Sequence, residues 1–213
     1  MKISWQDRLV WGVLVLVILG ISFASAWSSF QKKNQKTSSV LPVLGKLADF
    51  RLMNSKDKPF GSEDLKGKVW IANFIFVHCA GPCPVMSANM AKIQKMLPEN
   101  NDILLVSFTV DPERDTPPVL AKYAQEYGAK ENRWYFLTGP PGEIRQLVRY
   151  GFKLNAEKVD PKKTDDVGDI LHSTHFVLVD QVGRVRGYYD SEREGTLEKI
   201  VADAKNLLQE KTK

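Results

Sequence analysis

Apolar and polar positions alternate along the chain in a way that predicts the order of its elements. Nearly continuous apolar runs at 69–77 and 102–110 are typical of strands buried on both faces. Apolar residues at helical spacing predict helices over 84–97, 119–127, 142–150 and 196–208. Further strands are predicted over 48–53 and 134–137, in the tail of 172–180, and over 184–189, with turns at 54–59 and 181–183.

This order places helices between the central strands and a hairpin near the C-terminus. Strands that alternate with helices form a parallel sheet, and the hairpin adds antiparallel strands to it. The sequence therefore predicts an α/β fold with a central mixed sheet flanked by helices. The polar segment 152–171 has no periodicity, and a loop of that length in a compact domain is functional or mobile.

The N-terminus has a different pattern, because no charged residue occurs from Leu9 to Gln31. About 20 apolar residues rising ~1.5 Å each span a hydrocarbon core of ~30 Å. We therefore predict a transmembrane helix or signal-anchor at 9–28, preceded by an N-terminal tail at 1–8. A signal peptide cleaved near the small residues 24–26 is the alternative.

The chain after this segment is soluble in character and must lie on one side of the membrane. Polar residues at 29–40 predict a flexible stalk, and 41–213 is predicted to be the folded domain. A two-cysteine motif that forms a disulfide fits an oxidising compartment. We therefore expect the domain on the outer (periplasmic or extracytoplasmic) side of the inner membrane.

Composition narrows the function only slightly. In 213 residues, 43% hydrophobic and 26% charged positions are ordinary for a globular protein. The net charge of +5 is mildly basic, and the simplest interpretation of this charge is that it favours solubility and some attraction to anionic lipid. No block of lysine and arginine with interleaved aromatic residues is present, which argues against nucleic-acid binding.

The candidate chemistry lies with the only two cysteines, Cys79 and Cys83, which are four residues apart where the first apolar run meets a helical pattern. Two sulfurs at this junction form a redox-active disulfide or hold a soft metal. The alternative, two small buried hydrophobes, explains neither their spacing nor the Gly81-Pro82 between them. A cysteine motif between the first central strand and the first helix indicates a thioredoxin-like fold, and the helix start is expected to lower thiol pKa there.

Three motifs occur in order: Cys79-x-x-x-Cys83-Pro84 after a buried strand, the run FTVDPERDTP at 108–117, and His172-Ser173 before a strand ending in Val179-Asp180. Together they resemble the Sco/SenC family. These are membrane-anchored, thioredoxin-fold copper-binding proteins that help to assemble the copper A centre of cytochrome c oxidase. The resemblance extends from about Leu41 to Leu208 and includes the N-terminal anchor.

The resemblance implies that Cys79, Cys83 and His172 bind copper. Thiolates are soft ligands that select Cu(I), and an imidazole also suits Cu(II). Only reduced cysteines bind metal, so the disulfide would be the copper-free state. The resemblance further implies a copper metallochaperone, not an enzyme, which delivers copper to the copper A subunit of cytochrome c oxidase or to another copper protein.

A membrane-tethered thiol-disulfide oxidoreductase that keeps target cysteines reduced is the main alternative, with attack by Cys79 and resolution by Cys83. Thioredoxin-like reductases place a cis-proline before the strand facing their cysteines, whereas 171–174 has no proline and contains His172. This difference favours metal binding. A peroxidase of the peroxiredoxin kind would have a threonine where Phe76 stands, and a structural zinc site would need four ligands where three are found.

Other residues near the motifs have simpler explanations. His78 follows the parity of its strand, and His175 has the opposite parity to His172, so neither is a favoured ligand. The acidic residues within 111–115 are interpreted as a turn and helix cap. Met86 and Met90 are at helical spacing and are interpreted as core residues.

The sequence departs from the family at three positions close to the motifs. Many members have proline and an acidic residue where this chain has Ala80 and Gly81, and aspartate where it has Leu171. Residues around a metal site orient its ligands and tune its affinity. We therefore expect these changes to affect copper affinity, redox potential and partner choice, while the three ligands are kept.

Overall fold

The computed structural model describes residues 40–79, 81–154 and 174–210, together with Gly20 and Ser22. The predicted anchor at 9–28 and stalk at 29–40 lie almost entirely outside these residues, as do Ala80 and the segment 155–173 with Leu171 and His172. Within the described ranges, no helix is long and apolar enough to cross a membrane.

The described residues contain eight strands and five α-helices. The strands are β1 (Gly45–Lys46), β2 (Arg51–Asn54), β3 (Pro59–Gly61), β4 (Val69–Ile75), β5 (Ile103–Thr109), β6 (Trp134–Thr138), β7 (His175–Val179) and β8 (Arg184–Asp190). The helices are α1 (Ser62–Leu65), α2 (Cys83–Met96), α3 (Pro117–Glu126), α4 (Pro141–Gln146), which continues into a π-helical turn at Leu147–Gly151, and α5 (Thr196–Gln209).

All eight strands form one mixed sheet in the order β1-β8-β7-β4-β5-β6-β2-β3. The central strands β4, β5 and β6 are parallel, and every other pairing is antiparallel. Every residue of β4 and β5 is buried, as their continuous apolar runs predict. The predicted mixed sheet is therefore confirmed.

Strand β4 separates two apolar layers of the core. Its odd-numbered residues, such as Ile71, face the layer that contains α2 and α5. Its even-numbered residues face an aromatic layer, where Phe74 and Phe108 stack at 5.7 Å between ring centroids and Phe152 lies 4.9 Å from Phe74. A fully buried side chain of this size contributes roughly 1.5–3 kcal/mol, so both layers hold β4 in place.

The N-terminal part of the domain differs from the sequence prediction. The predicted strand at 48–53 is replaced by β1 and β2, and the predicted connection from Gly61 contains helix α1. The Asn54 side chain accepts hydrogen bonds from the backbones of Lys56 and Lys58, which closes the predicted turn. The chain then returns as β3, where buried Phe60 stacks on Tyr135 at 4.2 Å.

Strand direction brings three segments to one edge of the sheet. The cysteine motif follows the end of β4, and residues 110–116 follow the end of the parallel neighbour β5. Strand β7 runs antiparallel to β4, with Val179 opposite Trp70 and Val177 opposite Ala72. The first residue of β7 therefore lies toward the edge at which β4 ends.

Candidate metal centre

A short turn connects the last residue of β4 to the cysteines. The backbone N–H of Cys79 donates to the carbonyl of Phe76 at 3.2 Å, which closes the turn. Cys83 is the first residue of α2, and Pro84 is the second. Proline is tolerated in this first turn because its missing N–H would have no helical partner there. The predicted position of the motif at the strand-to-helix junction is confirmed.

The two sulfurs are close together but differ in their exposure. Both cysteines are free thiols; Cys79 is partly exposed, whereas Cys83 is buried, with 3% of its surface exposed. The Cys79 Sγ accepts a hydrogen bond from the backbone N–H of Gly81 at 3.3 Å and also contacts the Cys83 thiol. Cys79 is thus the accessible sulfur of the pair, as predicted.

The expectation that the helix start lowers thiol pKa is wrong for Cys83. Burial, and to a smaller extent the neighbouring Cys79, raise the pKa of its thiol to about 12. Hydrogen bonds from the backbones of Phe76 and of Cys83 itself oppose this effect but do not overcome it. The Cys83 thiol is therefore protonated at neutral pH and must release its proton when it binds a soft metal or forms a disulfide.

Asp115 is a buried residue of this region whose position the sequence analysis did not recognise. Its Oδ2 accepts hydrogen bonds from the Thr109 hydroxyl at 2.6 Å and from the backbone N–H of Val77 at 3.0 Å. Its Oδ1 is buried and has no hydrogen-bond partner among the described residues. Burial raises the pKa of Asp115, although the two hydrogen bonds act in the opposite direction.

The interpretation of 111–115 as a turn is correct for Asp111, whose carbonyl accepts a hydrogen bond from the backbone N–H of Asp115 at 2.9 Å. Thr116 lies at the N-cap of α3, although its side chain makes no capping hydrogen bond. Asp115 precedes this cap directly, so its sequence context resembles that of a capping residue. Nothing in the sequence indicates that Asp115 is buried whereas the neighbouring acidic residues belong to an ordinary turn.

The core behind the cysteines is apolar and closely packed. Met86 and Met90 are almost fully buried on α2, which confirms their interpretation as core residues. The Tyr123 hydroxyl of α3 hydrogen-bonds to the Ser87 hydroxyl of α2 at 2.9 Å, and burial raises the pKa of Tyr123 well above its usual range. Helix α2 is therefore held firmly on the sheet, and Cys83 with it.

The histidines contribute less to the described site. His78 is exposed beside Cys79, and His175 is half-buried at the start of β7. Within the described ranges, no three Cys, His, Asp or Glu residues are grouped to hold a metal ion, so neither histidine completes a three-ligand set with the cysteines. His172, the predicted third ligand, lies outside these ranges. The pair of free thiols still suits a soft ion such as Cu(I).

The fold and the site together define the class. A free cysteine pair between a central strand and a helix, on a mixed sheet, is the arrangement of a thioredoxin-like protein. The family model for SCO1/SenC matches residues 44–209. The chain belongs to the SCO1/SenC family.

Three similar solved structures agree with this assignment. The SCO1/SenC family lipoprotein from Bacillus anthracis str. Ames is 38% identical, with a TM-score of 0.68 and coverage of 78% of this chain and 96% of that chain. BsSco, described as a Sco-family cytochrome c oxidase assembly protein with a disulfide switch, is 34% identical, with a TM-score of 0.68 and coverage of 81% and 99%. Copper-bound ScoI from Bradyrhizobium japonicum is 27% identical, with a TM-score of 0.61 and coverage of 76% and 99%.

Proposed function

We propose that this protein is a copper metallochaperone that binds copper through Cys79, Cys83 and His172 and delivers it to the copper A site of cytochrome c oxidase. The observation that carries the proposal is the free thiol pair, with one accessible and one buried sulfur at the start of α2. Thiolates select soft Cu(I), and an accessible sulfur gives a partner's ligands a path for exchange. Two relatives support the role: ScoI has been solved with copper bound, and BsSco belongs to a family of oxidase assembly proteins.

Strand topology supports His172 as the third ligand. The chain re-enters the described structure at Thr174, immediately before β7. Because β7 is antiparallel to β4, its start lies toward the edge from which the cysteine turn leaves. His172 lies two positions before Thr174 in the sequence, and two residues extend at most about 7 Å.

The same cysteines give the site a redox gate. Oxidation of the two thiols forms one S–S bond and releases two protons and two electrons to an external thiol-disulfide acceptor. The disulfide leaves no thiolate to bind copper, so only the reduced protein accepts the metal. The disulfide switch described for BsSco is consistent with this behaviour.

A second candidate function is thiol-disulfide exchange with target cysteines, which the unequal exposure of the two sulfurs favours. Accessible Cys79 would attack a target disulfide, and Cys83 behind it would resolve the mixed disulfide. The high pKa of Cys83 makes it a slow resolving thiol at neutral pH, because the thiolate is the nucleophile. We therefore place this activity second.

We further propose that residues 9–28 anchor the chain to the inner membrane, 29–40 form a stalk, and the domain at 41–213 lies on the outer side. The uncharged apolar run at 9–28 is long enough to cross a bilayer. A compact unit begins at Leu41, which supports the start of the domain. The B. anthracis relative is described as a lipoprotein, which is consistent with an anchored chain.

The test is the copper content of the purified full chain, reduced and then oxidised. We expect one copper per reduced chain, none after oxidation, and loss of binding in Cys79→Ser. His172→Ala should weaken binding strongly, with His175→Ala as the matched control that retains it. A reduced chain that holds no copper would overturn the function, and full binding by His172→Ala would remove this residue from the ligand set. Reduction of a disulfide substrate without copper binding would favour the second function.

A further inference from the structure

We propose that Asp115 is a positioning residue for the cysteine centre, because its carboxylate holds the turn that presents Cys79. The contact is the hydrogen bond from the Val77 N–H to the Asp115 Oδ2, at 3.0 Å. Only the copper readout below rests on the proposed function. The geometry of the turn and the reactivity of Cys79 do not depend on it.

The sheet stops holding the chain just before Val77. Pairing between β4 and β5 ends at Ile75 and Thr109, and the last backbone bond of the ladder runs from Val110 N–H to the Ile75 carbonyl at 2.8 Å. Val77 lies beyond this point and has no strand partner. A side chain from the loop after β5, Asp115, supplies the acceptor instead. A carboxylate is a stronger acceptor than a neutral carbonyl, so this bond extends the fixed backbone past the strand end.

The turn that contains Val77 contacts both cysteines. The Phe76 carbonyl accepts from the Cys79 N–H, and the Phe76 backbone also hydrogen-bonds to the Cys83 thiol. Val77 directly follows Phe76, so the residue that Asp115 holds adjoins the one that makes both contacts. A shift of the turn therefore changes the position of Cys79 and the surroundings of both sulfurs at once.

The Asp115 carboxylate is itself rigidly held. It is fully buried, and the Thr109 hydroxyl, fixed on buried β5, donates to the same Oδ2 at 2.6 Å. That hydroxyl in turn accepts from the Asp111 N–H at 3.0 Å. The other carboxylate oxygen of Asp115, Oδ1, is also buried. Burial and two hydrogen bonds thus hold this carboxylate in one place, from which it can fix the turn.

The variants Asp115→Ala, Asp115→Asn and Thr109→Val test this role in the full chain. Three measurements apply: the rate of Cys79 alkylation by iodoacetamide followed by peptide mass spectrometry, the reduction potential of the Cys79–Cys83 pair, and Cu(I) affinity by competition with a chromophoric chelator. We expect Asp115→Ala to accelerate alkylation, shift the potential and weaken copper binding by about tenfold or more. Asp115→Asn keeps an oxygen acceptor for Val77 and should restore most of each property, with Thr109→Val intermediate.

Asp180→Asn is the matched control, because Asp180 is an equally buried carboxylate at the other end of the sheet, after β7. It should lower stability and leave all three cysteine readouts at wild-type values. A folded Asp115→Ala with unchanged alkylation and potential would refute the proposal, as would the same changes in Asp180→Asn. If Asp115→Ala does not fold, Thr109→Val decides in the same way. Wild-type protein without copper affinity would overturn the proposed function but leave the alkylation and potential tests intact.

Discussion

Arg186 is the buried charge whose removal should damage the fold most. Only 2% of its side chain is exposed, yet its guanidinium contacts the Asp180 carboxylate at 2.9 Å and the Glu210 carboxylate at 2.7 Å. It also donates to the carbonyls of Leu41, at 2.6 Å, and Pro42, at 3.2 Å. One side chain thus joins β8 to the end of β7, to the residue after α5 and to the first residues of the domain.

The expected cost of Arg186→Met follows from these contacts. Asp180 keeps Arg184 at 2.7 Å, so it is not left unpaired. Loss of the charged hydrogen bond to buried Asp180 costs about 1.5–3 kcal/mol, and the two carbonyls and the Glu210 carboxylate that lose a partner bring the total to about 3–5 kcal/mol. Total stability is only about 5–15 kcal/mol, so this is a large fraction. Arg186→Lys keeps the positive charge but loses the planar guanidinium, so its free energy of unfolding should lie between those of the wild type and Arg186→Met.

Urea unfolding of the full chain, followed by near-UV circular dichroism, measures this effect. With a slope of about 2 kcal/mol per molar urea, the midpoint of Arg186→Met should fall by roughly 2 M. Arg145→Met, at an exposed position on α4, is the control and should change stability by less than about 0.5 kcal/mol. If both substitutions shift the midpoint equally little, the reasoning about the buried network is wrong.

Three further outcomes are expected from the same unfolding assay. Phe152→Ala should lower the free energy of unfolding by about 3–5 kcal/mol, because the Phe152 ring is fully buried in the aromatic layer. Tyr150→Ala is the control and should be nearly neutral, because Tyr150 is 69% exposed. Equal losses would contradict the assignment of this layer. The Cys79–Cys83 disulfide should raise stability by about 2 kcal/mol over the reduced form, by closing a short loop, and this difference should vanish in Cys79→Ser. Burial alone would raise the pKa of Asp180, but hydrogen bonds from Arg184 and Arg186 lower it below 3.8. The contribution of Asp180 to the free energy of unfolding is therefore complete above pH 3.8 and lost as the pH falls through the lower pKa of the folded state. An acid-unfolding transition that is the same in wild type and Asp180→Asn would refute this.

The sequence predicts the centre of the domain well because burial on both faces leaves a continuous apolar run. Strands β4 and β5 fall within the predicted limits, and the cysteines lie at the predicted strand-to-helix junction. The outermost strands of the sheet are harder to predict. Strand β3 is three residues long with one large apolar side chain, Phe60, so it offers no alternation to detect.

The polar residues that organise the site and the core could not be predicted for a different reason. Asp115 and Arg186 look like loop and strand-surface residues, because their partners are distant in sequence. The Val77 N–H lies 38 positions from Asp115, and the Leu41 carbonyl lies 145 positions from Arg186. Periodicity reports which face of an element is buried, and it carries no information about such pairings. The raised pKa of Cys83 is hard to predict for the same reason, because the helix start is local in sequence whereas the burial of the thiol is not.

The buried position of Cys83 couples the stability of the fold to the binding of an ion at this sulfur. Cys83 packs in the same core layer as Met86 and Met90, so an ion held there by the folded chain stabilises that state. Such a ligand raises the unfolding free energy by about 4 kcal/mol when it is present at 1,000 times its dissociation constant. If copper is delivered as we propose, its release to an acceptor would return the protein to its less stable state. The midpoint of unfolding would then report how much of the protein is loaded.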